Sequence, residues 1–475
     1  MRLSTRCEQC TLSVRLTPSV TECLDTLLAL RTIITPGGIL ESGVRAAFES
    51  LGGSSVLNHS DGSAFGGYRI DTTKSKRWWY EMGPIRPPSE GRDHSLLIRA
   101  TRNCPWNRCR FCPVYKGQKF EYRSVAEIKE DIDVARALAV ELKAASWRLG
   151  LGGRIDRMVL GAIVNGNPEL YGSDSLNPAE IELCAGSLVS VANWMASGGR
   201  TAFLQDADTL IMRVPELLEV LRYLKGSFSS VERVTSYARA KTVSRRSLAE
   251  LKELHEAGLS RLHVGLESGS DEVLRYMEKG VTAEEHIRGG RAVVEAGISL
   301  SEYVMPGLGG KKWSENHALE SARVLNAIDA DFIRLRSLGV RKNTSLHEQM
   351  GSADFQILDE DEMVGEIGLL IENLECHSYL ASDQMSNLLW EVEGQLPDDK
   401  QAMLETISRY LSKAPMERLK FCLERRRRSF YNIYGGIPAE VQELLDRANQ
   451  AVQAESPDAA LKVNEAISAM KQGFL

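Results

Sequence analysis

Short apolar runs alternate with capped amphipathic stretches through the middle of this chain. "SLLIRAT" (Ser95–Thr101) is one such run and stops at a loop; Ser124-x-x-Glu127 then opens a helix with apolar positions at Ile128, Ile132 and Ala135. The step recurs. "TAFLQDAD" (Thr201–Asp208) precedes a helix after Pro215, and "RVTSYA" (Arg233–Ala238) one opened by Ser247-x-x-Glu250. "RLHVGLESGS" (Arg261–Ser270) precedes helices at Asp271 and at Thr282-x-x-Glu285, and "SLSEYVMPGLGG" (Ser299–Gly310) one after Ser314; "DFIRLRSLGV" (Asp331–Val340) ends the series. Six strands joined by crossovers long enough for parallel pairing predict an α/β fold, a partial or complete (β/α) barrel, with an open doubly wound sheet as the alternative. In a barrel the chemistry lies in loops after the strands' C-terminal ends.

The flanks read differently. Residues 1–76 have weak periodicity and glycine-rich patches, as an N-terminal extension would. The barrel core is expected over 77–345, with an insertion at about 143–200 forming helices over it. Residues 346–475 form a mostly helical region, with a helix near Asp359 to Leu374 and a terminal αα-hairpin turning at Ser456-Pro457-Asp458.

Composition narrows the setting without changing the architecture. Hydrophobic residues at 43% and charged residues at 26% are ordinary globular values and allow a large core. A net charge of −6 gives no global attraction to nucleic acid or anionic lipid, so any such binding has to be local. Neither a signal-peptide pattern nor an apolar window of about 18 residues stands out, and a cytoplasmic protein is expected. There cysteines stay reduced, and a tight cluster of them suits metal better than a disulfide.

Such a cluster is present in "RNCPWNRCRFCPVYKG", as Cys104-x4-Cys109-x2-Cys112. Three thiolates on a strand-to-helix loop can wrap one face of a cuboidal iron–sulfur cluster and leave one iron open. Structural zinc asks for four ligands, and Cys184, Cys376 and Cys422 are isolated. The competing readings are zinc, or chance clustering of core cysteines. Cys7 and Cys10, with Cys23, could hold an auxiliary cluster; the plainer reading is an incidental pair.

With Phe111 just before the last cysteine, the loop resembles the radical SAM superfamily. The motifs "RPPSE", "FLQDADTL", "VTSYARAK", "LHVGLESGSDEVLRYMEKGVT" and "EYVMPGLGG" resemble a narrower bacterial and archaeal family within it, over about residues 77 to 400. The usual superfamily spacing is Cys-x3-Cys-x2-Cys; this chain has one more residue in the first gap. The resemblance implies that Cys104, Cys109 and Cys112 ligate three irons of a 4Fe-4S cluster and that S-adenosylmethionine chelates the fourth. An electron from a flavodoxin- or ferredoxin-type donor would then yield a 5'-deoxyadenosyl radical, which abstracts hydrogen from a small organic substrate.

The same resemblance places further residues at the cofactor. Phe111 flanks the cluster, and Asp206 and Asp208 stand where relatives meet the methionyl ammonium. Ser236 and Arg239 end the third strand, the arginine suiting the methionyl carboxylate. Glu267 suits the ribose, Ser268 beside it is a further cofactor-binding candidate, and Gly307 in "PGLGG" suits the adenine. Against these stand an Asx turn or helix cap for Asp208, a surface ion pair for Arg239 and ordinary turns for the glycines.

Arg425 to Arg428, near Phe430, Tyr431 and Tyr434, invite an RNA-binding reading; a solvated basic helix end is the commoner cause, so nucleic acid and membrane partners are not expected. His263, His286 and His317 share no metal-site spacing and are expected to be packing or surface residues. The alternatives kept are an RNA-modifying radical enzyme and a non-catalytic iron–sulfur electron carrier or scaffold.

Overall fold

The computed structural model describes residues 67–87, 94–172, 178–350 and 355–472, all within the unit Ser63–Leu475. Cys7, Cys10 and Cys23 lie outside the described residues. β1 (Leu96–Arg99) runs almost directly into a two-stranded ribbon, β2 (Thr101–Arg102) paired with β3 (Glu121–Tyr122), and the cysteine loop hangs between these two. The main sheet continues with β4 (Thr201–Gln205), β5 (Arg233–Ala238), β6 (Leu259–Glu267), β7 (Ser299–Val304), β8 (Phe332–Leu335), β9 (Tyr379–Ala381) and β10 (Gly394–Gln395).

Its order is β1-β4-β5-β6-β7-β8-β9-β10, every pair parallel up to β9, with β10 antiparallel to it. Strands neighbour one another in chain order without a reversal. This removes the doubly wound alternative and leaves a partial barrel, with β1 and β10 as its edges. All the parallel strands therefore present their C-terminal ends at one mouth.

Local chemistry sets the helices. The capping boxes at Ser124/Glu127, Ser247/Glu250 and Thr282/Glu285 all form, each satisfying end donors that would otherwise cost about 1 kcal/mol. The helix expected after Ser314 is Gly310–Ile328 with a break at Trp313 (φ −122°, ψ 18°), so regular helix does begin at Ser314. Gly310, at φ 55°, makes the extra turn possible because a Cβ there would meet Phe355 and the Gln356 carbonyl.

Two elements run past the expected boundaries. The helix Val125–Arg148 runs into the expected insertion, whose helices Arg157–Gly166 and Pro178–Ala196 pack against it, the latter also beside β1, with Pro168–Tyr171 packed on those two. The sheet does not stop at residue 345, since β9 and β10 extend it. The described part of the N-terminal extension is tied down: the Tyr68 hydroxyl donates to Glu141 at 2.8 Å, and Tyr68 and Ile70 are buried. The final hairpin forms as Ala439–Gln453 and Ala459–Lys471. Among the described residues no helix is long and apolar enough to cross a membrane.

Candidate functional site

The cysteine loop is anchored at both ends. Asn103 and Asn107 take positive φ (67° and 49°), which asparagine tolerates, and their amides donate to the carbonyls of Lys119 at 2.6 Å and Gln118 at 3.1 Å. Trp106 Nε1 donates to the Glu278 carbonyl at 2.6 Å, Arg110 N to that of Met277 at 3.0 Å, and Leu346 N to that of Arg110 at 3.1 Å. The loop is thus pinned across the mouth onto the segment that follows β6. Its three cysteines are half-buried. Burial pushes the Cys112 thiol up to about 11, and the neighbouring Cys109 and Cys104 add to this. Burial also raises Cys109, while the Lys279 and Arg239 charges pull the other way. A cation beside Cys109 and Cys112 favours the thiolates a metal needs.

Opposite the loop, β6 ends in a bulge. The register slips between Gly265 and Glu267, and Glu267 takes φ 63°, a conformation that costs a non-glycine residue energy and is typical of functional sites. Its carboxylate lies back over Gly265, where a Cβ would collide with it, and pairs with Lys279 Nζ at 3.0 Å. Lys279 also sits 5.9 Å from the centre of the Phe111 ring. Burial lowers the Lys279 pKa, but the Glu267 and Cys109 charges outweigh it and hold the ammonium charged.

The other candidates divide by what already occupies them. Arg239 stacks 5.2 Å from the Trp106 ring and donates to the Lys279 carbonyl at 2.9 Å, at the edge of the cysteine loop. Phe111 packs in an apolar cluster with Val273, Leu308 and Leu338. Asp206 is fully buried and engaged: Arg99 donates to it at 2.7 and 2.9 Å, Asn103 N at 3.2 Å, and the Tyr115 hydroxyl bonds its other oxygen. It therefore fixes both ends of the cysteine loop.

Asp208 accepts from Thr242 Oγ1 at 2.5 Å and Arg239 N at 3.2 Å, which caps the turn after β5; burial pushes its pKa up to about 6. Ser236 donates to the Leu204 carbonyl at 2.9 Å. Ser268 meets His317 Nδ1 at 2.8 Å, and Gly307 N donates to Glu366 at 2.6 Å, so two loops of the mouth are held from behind by the helices Gly310–Ile328 and Glu360–Glu372.

Sequence reasoning missed Lys279, Trp106 and Glu81. Glu81 bridges Arg99 at 2.9 Å and Arg102 at 2.7 Å beneath the loop. The only signal was position, with Trp106 between the cysteines and Lys279 12 residues after Glu267. Glu302 of β7 was missed too. It is buried with neither oxygen bonded, and burial, then the Glu267 charge, pushes it up to about 8. Among the described residues no three His, Cys, Asp or Glu side chains, the three cysteines of the loop included, are gathered closely enough to hold a single metal ion.

Residues 180–322 match the model of the radical SAM superfamily. A curated Methanocaldococcus jannaschii protein, described as uncharacterised, is 24% identical over 113 residues, 24% of this chain; the chain spans about a third (34%) of that relative's length. Among solved structures, methylornithine synthase aligns at 13% identity over 81% of this chain and 80% of its own (TM-score 0.35). HydG, a maturase of FeFe-hydrogenase, aligns at 13% over 96% and 89% (TM-score 0.33). The radical S-adenosylmethionine methyltransferase TsrM of Kitasatospora setae aligns at 17% over 55% and 40% (TM-score 0.34).

Proposed function

We propose that this chain, a radical SAM superfamily enzyme by its matched domain, holds a 4Fe-4S cluster on Cys104, Cys109 and Cys112 and S-adenosylmethionine beside it, and removes hydrogen from a small organic substrate in the sheet's concave face. The observation that carries this is the three-cysteine loop pinned across the mouth of a parallel partial barrel, facing the bulged Glu267–Lys279 pair. When bound, the cofactors supply reductive cleavage of S-adenosylmethionine to methionine and a 5'-deoxyadenosyl radical.

The protein's own residues bind, orient and exclude water. Cys104, Cys109 and Cys112 provide the thiolates, with Lys279 and Arg239 offsetting their charge. Glu267 stands at the rim where ribose hydroxyls would need an acceptor, and Phe111 closes the apolar side. Asp206, Asp208, Ser236, Ser268 and Gly307 act as positioning residues, each spent on a bond that fixes a rim loop.

Anaerobic reconstitution tests the reading. Wild-type protein is expected to hold about four irons per chain and, with a strong reductant, to release 5'-deoxyadenosine slowly from S-adenosylmethionine without substrate. Cys109→Ala should lose the iron, while Cys184→Ala, altered inside the helix Pro178–Ala196, should keep it. Zinc as the sole metal after anaerobic isolation would sink the cluster. An intact cluster that does not bind S-adenosylmethionine would point to an electron carrier.

A further inference from the structure

The concave face carries a second set of groups that the cluster and S-adenosylmethionine do not use. Tyr237 of β5 and Tyr303 of β7 lie on strands separated by β6, yet their ring centres are 6.2 Å apart. Side chains two strands apart meet only where the sheet curves toward them. Between them on β6 stands His263, 5.5 Å from Tyr237 and 6.0 Å from Tyr303. Arg336, just past β8, lies 4.8 Å from the centre of the Tyr303 ring, and Arg334 follows the same wall.

His263 is 1% exposed, and among the described residues neither ring nitrogen has a hydrogen-bond partner. A buried donor and acceptor left unmet cost about 1–3 kcal/mol, a penalty a ligand would relieve. Burial first, then the charges of Arg334, Arg261, Arg336 and Arg233, hold its pKa well below the ordinary value. A buried imidazole with guanidiniums near it makes this part of the concave face positive. Among the described residues acid is scarce there: Asp383, whose charge also reaches Arg336, meets Arg334 at a loose 3.4 Å, Arg334 Nε is unbonded, and Glu267 is committed to Lys279.

We propose that this face binds a small substrate through an oxyanion, carboxylate or phosphate, gripped by Arg334 and Arg336, with the ring nitrogens of His263 bonding a polar group of its body and the tyrosine faces packed against the rest. The planar fork of arginine is matched to such groups. Because β8 ends at the same mouth as the cysteine loop, a substrate anchored there by its charged end extends toward the loop. Calling the ligand a substrate rests on the radical SAM reading above; the anion site itself does not.

The test is calorimetric titration of the full-length, iron-free chain with malonate and, separately, inorganic pyrophosphate, with glycerol as uncharged control. One anion should bind saturably with one site per chain, and which one does identifies the group. Arg334→Gln and Arg336→Gln should each weaken it by about ten-fold or more, whereas Arg222→Gln, on the helix Val214–Ser227, should not. Should either glutamine variant lose its near-UV circular dichroism, Arg336→Lys replaces it, keeping the charge but not the fork, and is expected to bind several-fold more weakly.

Neither anion binding to wild type, or equal binding by a folded arginine variant, overturns the proposal. Iron content is read on separate samples, so the two readings fail separately. A chain that binds anion but cannot hold iron keeps this site and loses the radical chemistry, and an anion-blind chain with four irons does the reverse.

Discussion

The chain has two dense runs of one chemistry, three cysteines within Cys104–Cys112 and four arginines at Arg425–Arg428, and the fold treats them in opposite ways. The cysteines sit on a loop between β2 and β3, where the backbone is free of a helical repeat. The arginines sit within the helix Pro415–Tyr434 rather than at its solvated end, where about 100° per residue sends four neighbours in four directions. Arg425 pairs with Glu391 at 2.7 Å over Trp390, and Arg427 and Arg428 are exposed. Arg426 is 1% exposed and donates to Glu360 at 2.6 Å and to the carbonyls of Met385, Ser386 and Asn387. A run concentrates chemistry only when its backbone can curl around it; a helix disperses it.

The sharpest way to break this contrast is to treat the four arginines as equivalent. Arg426→Ala takes from Glu360 one of its two buried cationic partners, leaving Lys471 at 2.6 Å as the other, and strips the carbonyls of Met385, Ser386 and Asn387 of their donor. It should cost about 3–5 kcal/mol in denaturant unfolding, against about 0.5 kcal/mol or less for Arg427→Ala. Equal losses would mean that the burial pattern along this helix is wrong.

The same interior group gives a pH signature. Burial raises the Glu360 pKa, but the charges of Arg426 and Lys471 outweigh it and hold the carboxyl at about 2, below its ordinary 4.5. The folded state then binds this proton less readily than the unfolded chain. The contribution is complete above about pH 4.5 and lost as pH falls through about 2, amounting to about 3 kcal/mol. Urea midpoints at intervals from pH 5 to pH 2 should show a shallower fall for Glu360→Gln than for wild type, from a lower starting stability. Parallel slopes would remove the buried pairing.

What was legible in the sequence follows the same division between local and distant. Ser124 and Glu127 are three residues apart and decide a helix start between themselves. The cysteine spacing likewise needs nothing beyond its own loop. Glu360 and Arg426 are 66 residues apart, so no window contains both. β9 is three residues long between polar neighbours, too short for alternation to register, and exists because β8 offers it an edge. His263, expected as packing, gains its place on the concave face only when the strands curve. Asp206 looked free because its partners, Arg99 and Tyr115, lie about a hundred residues upstream.

The smallest effect is expected where the arginine run looked most like a binding site. Arg427 and Arg428 line a surface groove of about 720 Å³ with Phe421, Arg425 and Tyr431, an arrangement of cations and aromatics that single-stranded RNA could use. Each phosphate contact would release counterions and steepen the fall of affinity with salt by about 0.7 per contact for a single strand. Replacing both residues by glutamine should therefore flatten the slope for bulk tRNA by about 1.4 if they carry binding, and leave it unchanged if they are solvated charges. No change is expected. Arg425 is spent on Glu391, Arg426 is internal, Glu424 lines the same groove, and the net charge of −6 opposes a polyanion. A flattened slope, with the helix intact by circular dichroism, would restore the run as a nucleic-acid contact and make RNA the substrate to test first.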